Sequence, residues 1–459
     1  MRILVSVLLL IVVSFMLNAP VSSAPSDPKT GVTILDPDQV EPGYVLYTPL
    51  LGDPSQGTAT VTYLINVHGE VVKSWPMAAG AGQYAQLLPD GTLLYAGQSE
   101  KEIVVPLGDG GLLQIIDWDG EILWSYENDF LHHDMEMLPD GNIAALIYSL
   151  VPDEMVSAIQ GGLPGTELED GSIWGDSIIE IDADGEIVNQ IDVWEYLDPV
   201  EDPIHPDINR NEWTHANSMR FVESNPITGT EAYLVSHRQI SVVALVDRET
   251  GELIWKWGHD DLAQQHDARM LENGNVLIFD NGEDPKDTPG GHIVPRSRIV
   301  EVDPRTNEIV WTYTSPVLTA WRFFSPLISG AHRTPNGNTF INEGMPGRLF
   351  EVTPAGETVW EYISPHGRPV EDDPVLMETW IFRATKYTPD QVDFPDDLPD
   401  PMLRLEDPPP ENGAADDAGS VEDDDDGDIE WWVLLIVGIG AAVVFFVVGV
   451  GVARSMSRA

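Results

Sequence analysis

The stretch QQHDARMLENGNVLIFDNG, residues 264 to 282, contains the pattern on which the fold prediction rests. From Met270 onward it reads as a β-hairpin, with an apolar run, an Asn-Gly turn and a second apolar run. His266 and Asp267 stand where the first strand begins, although hairpin formation requires neither residue. The stretch therefore combines a structural unit with two polar residues that need a separate explanation.

Two types of hairpin alternate along the chain. Five hairpins, one of them at residues 264 to 282, are of the first type. Six others have the form apolar run, Gly- or Asn-containing turn, apolar run, mostly with Trp. The six lie at residues 62 to 76, 113 to 126, 177 to 192, 242 to 258, 298 to 313 and 348 to 362. Antiparallel hairpins in strict alternation predict the four-stranded blades of a β-propeller. We assign the five-copy hairpins to the inner strands A and B and the six-copy hairpins to the outer strands C and D.

The sixth inner hairpin can be assembled from the two ends of the domain. WIFRATKY, residues 380 to 387, supplies strand A, and GYVLYTPL, residues 43 to 50, supplies strand B. The predicted fold is therefore all-β, a six-bladed β-propeller of four-stranded antiparallel blades over residues 43 to 390, closed by N- and C-terminal strands. Its short A–B and C–D turns lie on one face, and its long connections lie on the other.

Both ends of the whole chain carry targeting features. Residues 1 to 24 have the pattern of a secretory signal peptide, and an uncleaved N-terminal anchor is the alternative. Residues 400 to 430 predict an acidic disordered stalk, and the uncharged residues 431 to 453 predict a C-terminal transmembrane helix. Positive residues follow that helix, so we expect a single-pass protein of the cell membrane with its folded domain on the extracytoplasmic side.

The charge and the cysteine content exclude several classes of function. The net charge of -53 predicts a surface that repels nucleic acid and anionic membrane. The chain has no cysteine, which excludes disulfides and thiolate metal sites.

Histidines recur at one register of the inner hairpins. His133 and His266 both lie eight residues before the glycine of their A–B turn, and His215 occupies the corresponding strand start in the blade between them. The end of strand B in that middle blade adds His237 and Arg238. Three neighbouring blades are therefore expected to present histidines to the mouth of the propeller on the long-connection face.

Two kinds of site suit this cluster. Imidazoles are common metal ligands, but Asp134 and Asp267, which follow the histidines directly, should point to the opposite face of their strands. The alternative is an anion site, in which Arg238 offers a planar fork to a tetrahedral oxyanion and the histidines add donors or a nucleophile.

The ordered motifs HHDMEMLPDGN, WTHANSMRF, SHRQISVVALVD, QHDARMLENGNVLIFDNG and FFSPLISGAHRTPNGNTFINEG resemble the bacterial and archaeal arylsulfotransferases that use no nucleotide sulfate donor. The resemblance extends from about Gly43 to Tyr387. It implies a six-bladed propeller whose central histidine attacks an aryl sulfate, forms a sulfohistidine and passes the sulfuryl group to a phenol. The partners are then an aromatic sulfate donor and a phenolic acceptor, with no cofactor or metal.

The resemblance also implies roles for individual residues. By motif, His266 is the nucleophile. The groups that hold the sulfuryl oxygens are His133, His215 and Arg238. Further substrate-binding residues are expected at Asn217, His132 and His237.

Two other functions compete with this reading. A non-catalytic cell-surface propeller could bind a ligand or polysaccharide at the same face without bond chemistry. A quinone-dependent dehydrogenase is suggested by DRETGELIWKW and DPRTNEIVWTY, but the chain lacks vicinal cysteines, and a Trp in strand D is expected to pack between blades.

Overall fold

A computed structural model describes residues 29–51, 60–99, 110–283, 294–370 and 373–405. The predicted signal peptide, the predicted membrane span and the stalk beyond residue 405 lie outside these ranges. Within the described ranges, no helix is both long enough and apolar enough to cross a membrane.

The described chain is built almost entirely of strands. The first ten are β1 (Gly31–Leu35), β2 (Tyr44–Pro49), β3 (Thr60–Ile65), β4 (Val71–Met77), β5 (Ala81–Leu87), β6 (Leu93–Gln98), β7 (Gly111–Ile116), β8 (Ile122–Glu127), β9 (Leu131–Met137) and β10 (Ile143–Leu150). The next ten are β11 (Gly161–Leu163), β12 (Trp174–Ile181), β13 (Ile187–Asp192), β14 (Ile204–Asn209), β15 (Ala216–Val222), β16 (Ala232–His237), β17 (Val242–Asp247), β18 (Leu253–Trp257), β19 (His266–Met270) and β20 (Val276–Asp280). The last nine are β21 (Arg298–Asp303), β22 (Glu308–Thr314), β23 (Gly330–Arg333), β24 (Thr339–Glu343), β25 (Arg348–Val352), β26 (Thr358–Ile363), β27 (Arg368–Val370), β28 (Asp373–Glu378) and β29 (Ile381–Tyr387).

Six antiparallel sheets form the blades and confirm the predicted six-bladed propeller. In order A to D, blade 1 is β5-β6-β7-β8, blade 2 is β9-β10-β12-β13, blade 3 is β15-β16-β17-β18, blade 4 is β19-β20-β21-β22, blade 5 is β23-β24-β25-β26 and blade 6 is β29-β2-β3-β4. Each inner strand contacts the inner strands of both neighbouring blades, which closes the ring. Blade 6 joins the last blade strand to the second strand of the chain, as the terminal motifs predicted.

Several further elements are added to the six blades without changing the propeller architecture. Strand β1 pairs with β26 and extends blade 5 to five strands, which the hairpin pattern did not predict. Where the structure describes them, the long connections hold the parallel pair β11 and β14, the antiparallel pair β27 and β28, and three short helices. These helices are Asp153–Val156, Val193–Tyr196 and the 3-10 helix Val317–Arg322. The first residues of the predicted stalk contact blade 6, where the Asn66 amide donates to the Leu403 carbonyl oxygen at 3.1 Å.

The hydrophobic core is divided among the spaces between blades. Each of the six blade interfaces has its own cluster of buried apolar side chains. Because every blade is covered on both faces by its neighbours, the B and C strands are buried almost throughout, which explains their continuous apolar runs.

Tryptophans in the outer strands join neighbouring blades. Trp360 of blade 5 is fully buried and donates its indole N–H to the Val67 carbonyl oxygen of blade 6 at 2.7 Å. The indoles of three other tryptophans make the same kind of bond to the C–D turn of the next blade, namely Trp75, Trp124 and Trp311. The indole of Trp255 donates to the Asn307 side-chain oxygen in the C–D turn of blade 4. The repeated outer-strand Trp therefore has a structural role in blade packing.

A buried cation joins the inner strands at the propeller axis. The Arg383 side chain of blade 6 is fully buried, and its Nη1 donates to Asp134 Oδ2 of blade 2 at 2.9 Å. Its Nε lies 3.1 Å from Asp267 Oδ1 of blade 4, and its guanidinium lies over the Tyr84 ring of blade 1. Burial opposes ionisation of Asp267, but neighbouring guanidinium groups, including those of Arg269 and Arg383, outweigh it and lower the pKa of Asp267.

The same two carboxylates also bind backbone groups of the following blade. Asp134 Oδ2 accepts from the Met219 N–H of blade 3 at 2.9 Å, and Asp267 Oδ2 accepts from the Ala331 N–H of blade 5 at 3.1 Å. We call these three residues the axial cluster: Arg383, Asp134 and Asp267. Through ion pairs, hydrogen bonds and a ring contact, the axial cluster joins groups of all six blades.

Replacing Arg383 with Met should lower the free energy of unfolding by about 3–5 kcal/mol, because buried Asp134 would lose its closest cation and buried Asp267 would keep only Arg269 and Arg220. Urea unfolding monitored by tryptophan fluorescence measures this change. The control is Arg305→Met, which removes an exposed pair with Asp303 and should leave stability close to wild type. Equal stability of Arg383→Met and the wild type would contradict a central role for the axial cluster.

Candidate active site

Strand A is bulged at the same end in four successive blades. The register shifts fall between Ala81 and Ala85, His132 and Met135, Ala216 and Ser218, and His266 and Arg269. His133, His215 and Asp267 lie in the left-handed region, with φ values of 49°, 51° and 47°. A bulge bends the strand and changes the direction of its side chains, and such strain concentrates at functional sites.

The bulged strand ends surround a cavity of about 260 Å³ on the long-connection face. Blades 2, 3 and 4 line it with His133, His215, Arg238 and His266. Blade 6 and the connection into blade 5 line it with Leu50, Leu51, Trp380, Phe382, Leu327 and Ile328. The cavity therefore has a basic, imidazole-rich side and an apolar side, and its volume lies near the lower end of the roughly 300–1,000 Å³ typical of small-molecule sites.

Three other residues predicted to bind substrate are absent from this lining. His132 lies behind His133, Asn217 donates its amide to the Gln265 carbonyl oxygen at 2.7 Å, and His237 Nε2 lies 3.2 Å from the Tyr196 hydroxyl. Of the seven predicted site residues, four therefore line the cavity, namely His133, His215, Arg238 and His266. The other three lie outside the lining and contact other protein groups.

His266 is held by an amide of its own blade. Its Nδ1 lies 2.8 Å from Asn281 Oδ1, while Asn281 Nδ2 donates to the carbonyl oxygens of Ser325 and Ile328 at 2.8 Å and 3.0 Å. Because the two carbonyls fix the amide orientation, His266 Nδ1 must carry the proton, and Nε2 keeps its lone pair. Burial, and next the positive charge of Arg238, lower the pKa of His266 well below its usual value, so the ring is neutral near pH 7.

His215 is held by a carboxylate. Its Nδ1 lies 2.9 Å from Glu212 Oε2, which also accepts from Gln239 Nε2 at 3.0 Å. This contact fixes the ring so that Nε2 is the nitrogen available to the cavity.

His133 contacts two other imidazoles. Its Nδ1 lies 2.9 Å from Nδ1 of His132, and its ring centroid lies 4.5 Å from that of His215. Burial, followed by the charges of His215 and His132, lowers the pKa of His133 well below its usual value, so His133 is also neutral near pH 7.

Arg238 supplies the cation of the cavity. Its Nη2 donates to Glu283 Oε2 at 3.1 Å, and its side chain is 12% exposed. Asp134 and Asp267 point away from the cavity to Arg383, which removes the carboxylates that a metal site there would have used. In the described ranges, no three His, Asp or Glu side chains are grouped so that they could hold a metal ion.

Glu212, Asn281 and the apolar wall around Phe382 were not predicted from the sequence. Asn281 could have been predicted, because it directly follows strand B of blade 4 on the long-connection face. Arg238 holds the equivalent position after strand B of blade 3. Glu212 precedes its strand in a long connection, and no periodic signal marks it. Phe382 lies in the strand that closes the ring, so its position depends on blade assembly.

The chain is similar to several solved structures at low identity. A protein of unknown function from Bacteroides caccae is 14% identical, with 71% of this chain and 94% of that chain covered and a TM-score of 0.43. A catalytically inactive virginiamycin B lyase from Staphylococcus aureus with quinupristin is 11% identical, with 73% and 88% covered and a TM-score of 0.39. The WD40 β-propeller domain of Doa1 is 10% identical, with 73% and 84% covered and a TM-score of 0.37.

No curated protein sequence matches the chain significantly. The family model described as Arylsulfotransferase (ASST) matches residues 84–365, from Tyr84 on the first inner strand to the end of blade 5. This range includes His133, His215, Arg238 and His266. The chain therefore belongs to the arylsulfotransferase (ASST) family.

Proposed function

We propose that the protein transfers a sulfuryl group from an aryl sulfate ester to a phenolic acceptor through a covalent sulfohistidine at His266. The observation that carries this proposal is the two-sided cavity. Its imidazoles and Arg238 suit a sulfate group, and its wall around Phe382 and Trp380 suits an aromatic ring. Membership of the arylsulfotransferase family supports the same activity.

His266 is the best-suited nucleophile of the three cavity histidines. A neutral amide holds its Nδ1–H, and its pKa is low, so the Nε2 lone pair is available near pH 7. In the first half-reaction, Nε2 forms a bond to sulfur while the bond from sulfur to the aryl oxygen breaks, and the phenolate leaves with the electron pair. The Asn281 carbonyl can keep its bond to Nδ1–H after the ring has been sulfated.

The other three cavity groups suit the oxygens of the transferred group. Sulfuryl transfer resembles phosphoryl transfer, in which donors placed around the equatorial oxygens lower the barrier. Arg238 supplies a charged planar fork, and His133 can supply an Nε2–H donor because its Nδ1 faces His132. His215, with its Nδ1–H directed at Glu212, presents Nε2 to the cavity. The apolar wall excludes water from the sulfohistidine, which would otherwise hydrolyse.

His266→Ala should lower turnover of para-nitrophenyl sulfate with phenol by about 10⁴-fold or more, because the nucleophile is lost. Release of para-nitrophenol measures the rate. Wild-type protein exposed to donor without acceptor should gain one sulfuryl group by intact mass, and peptide mapping should locate it on His266.

The matched control for that experiment is His68→Ala, which removes a half-buried histidine of the blade 6 C–D turn that bonds to the Met402 carbonyl oxygen. It should retain wild-type turnover. Retention of donor by the wild type with neither sulfation nor turnover would instead favour a binding propeller without bond chemistry. Turnover that is unchanged in His266→Ala would contradict the assignment of His266 as the nucleophile.

Asn281→Ala should slow formation of the sulfo-enzyme by about 10²-fold, because the His266 ring loses its fixed tautomer and orientation. The initial burst of para-nitrophenol in a stopped-flow experiment measures this step. The control is Asn342→Ala, whose amide donates to the carbonyl oxygens of Ile381 and Phe382 rather than contacting His266. Equal slowing in both variants would show that Asn281 acts only on the fold.

A further inference from the structure

A row of buried titratable groups extends from the cavity wall into the interior of blade 2. His133 lines the cavity, and its Nδ1 lies 2.9 Å from Nδ1 of His132. His132 Nε2 lies 3.4 Å from Asp176 Oδ1, and both side chains are almost completely buried. Neither of these two facing atoms makes a hydrogen bond elsewhere in the described part of the chain.

The surrounding contacts fix the row in place. The ring of Tyr148 stacks on His132, with centroids 3.9 Å apart. The second carboxylate oxygen of Asp176 accepts from the Thr214 hydroxyl and from the Ala216 N–H, the latter at 2.9 Å. The remaining oxygen, Oδ1, is therefore directed at His132.

One arrangement of protons satisfies every contact in the row and leaves no group charged. Asp176 is a carboxylic acid whose Oδ1–H faces His132 Nε2, and His132 Nδ1–H donates to His133 Nδ1. The second nitrogen of His133, Nε2, then carries a proton and can donate it into the cavity. All three groups are neutral in this arrangement, which suits their burial.

We propose that Asp176 and His132 form a proton relay that acts through His133, giving a proton to the departing phenolate and taking one from the acceptor phenol. This inference rests on the proposed sulfuryl transfer and extends it. His133 is the group that touches the substrate, and His132 and Asp176 are positioning residues that hold and exchange the proton.

The relay balances both half-reactions without an external acid or base. When the aryl oxygen leaves, it takes the proton of His133 Nε2. His133 Nδ1 then takes the Nδ1 proton of His132, and His132 Nε2 takes the carboxyl proton of Asp176. Asp176 is then a carboxylate. When the acceptor phenol attacks sulfur, its proton returns along the same path as the nitrogen-sulfur bond of His266 breaks, which restores the resting enzyme.

The electrostatic surroundings of the row support this direction of transfer. Burial, and next the Glu212 carboxylate, raise the pKa of Asp176 to about 7, while burial and His215 lower the pKa of His132 to about 3. The titratable groups that face Asp176 are thus Glu212, His215, His132 and Tyr196. Below about pH 7 Asp176 holds the proton in the resting enzyme, and above it the proton is lost.

The test compares Asp176→Asn with wild type on donors of graded leaving ability. Phenol, with a pKa of about 10, needs protonation on leaving far more than para-nitrophenol does. We expect Asp176→Asn to slow sulfo-enzyme formation from phenyl sulfate by about 10²-fold and to change the rate with para-nitrophenyl sulfate much less. The wild-type rate with phenyl sulfate should fall as the pH rises through about 7, and the variant should lose this dependence.

Two further variants make the result decisive. His132→Asn interrupts the row at another link, so it should show the same selective loss, and it decides the question if Asp176→Asn does not fold. Glu180→Gln removes a different buried carboxylate of β12, which accepts from Tyr233 and Arg248, and should keep the wild-type ratio of the two donor rates.

The possible outcomes separate the relay from the proposed function. No transfer by the wild type from either donor would overturn the sulfotransferase proposal and the relay with it. Active wild type with equal slowing of both donors in Asp176→Asn and His132→Asn would overturn the relay alone. A changed donor ratio in Glu180→Gln would also overturn it, because the ratio would then reflect general disturbance of the strand.

Discussion

The ion pairs of Arg383 with Asp134 and Asp267 are the interaction on which the rest of the structure depends. Apolar clusters fill every interface between blades, but hydrophobic contacts have little directional preference. In a chain with a net charge of -53, the two buried carboxylates at the axis need nearby cations, and Arg383 lies within 3.1 Å of both. The guanidinium of Arg383 fixes how blades 2, 4 and 6 meet, and the neighbouring residue Phe382 forms part of the cavity wall.

Residues that are adjacent in sequence therefore have different roles, one at the cavity and one in blade packing. His133 and His266 line the cavity, and the aspartates that follow them bind the axial cation and the backbone of the next blade. Simple strand alternation predicts that neighbours point to opposite faces. At the strand bulges, His133 and Asp267 lie in the left-handed region. The backbone direction therefore changes there, so that each histidine side chain faces the cavity while the next aspartate side chain faces the axis.

The sequence was sufficient to predict the six blades, the closing pair of terminal strands and the clustering of His133, His215 and His266, because these follow from local hairpin patterns and their register. It was insufficient for strand β1, which pairs with a blade distant in sequence. It also did not reveal the contacts of Asn281, Glu212 and Asp176 with the histidines, because Glu212 lies in a long connection and the other two contacts depend on how the assembled strands pack. His132, Asn217 and His237 show the same limit: their position at strand ends was predictable, but their protein partners were not.

Blade 6 takes its innermost strand from residues 381 to 387, which are synthesised after every other blade strand. That strand carries both the axial cation and Phe382, so the first five blades can form their hairpins while the centre of the ring is still incomplete. The cavity is therefore complete only when this strand has joined the ring. A chain truncated before Ile381 would keep His133, His215, Arg238 and His266 but would lack Phe382 and Arg383.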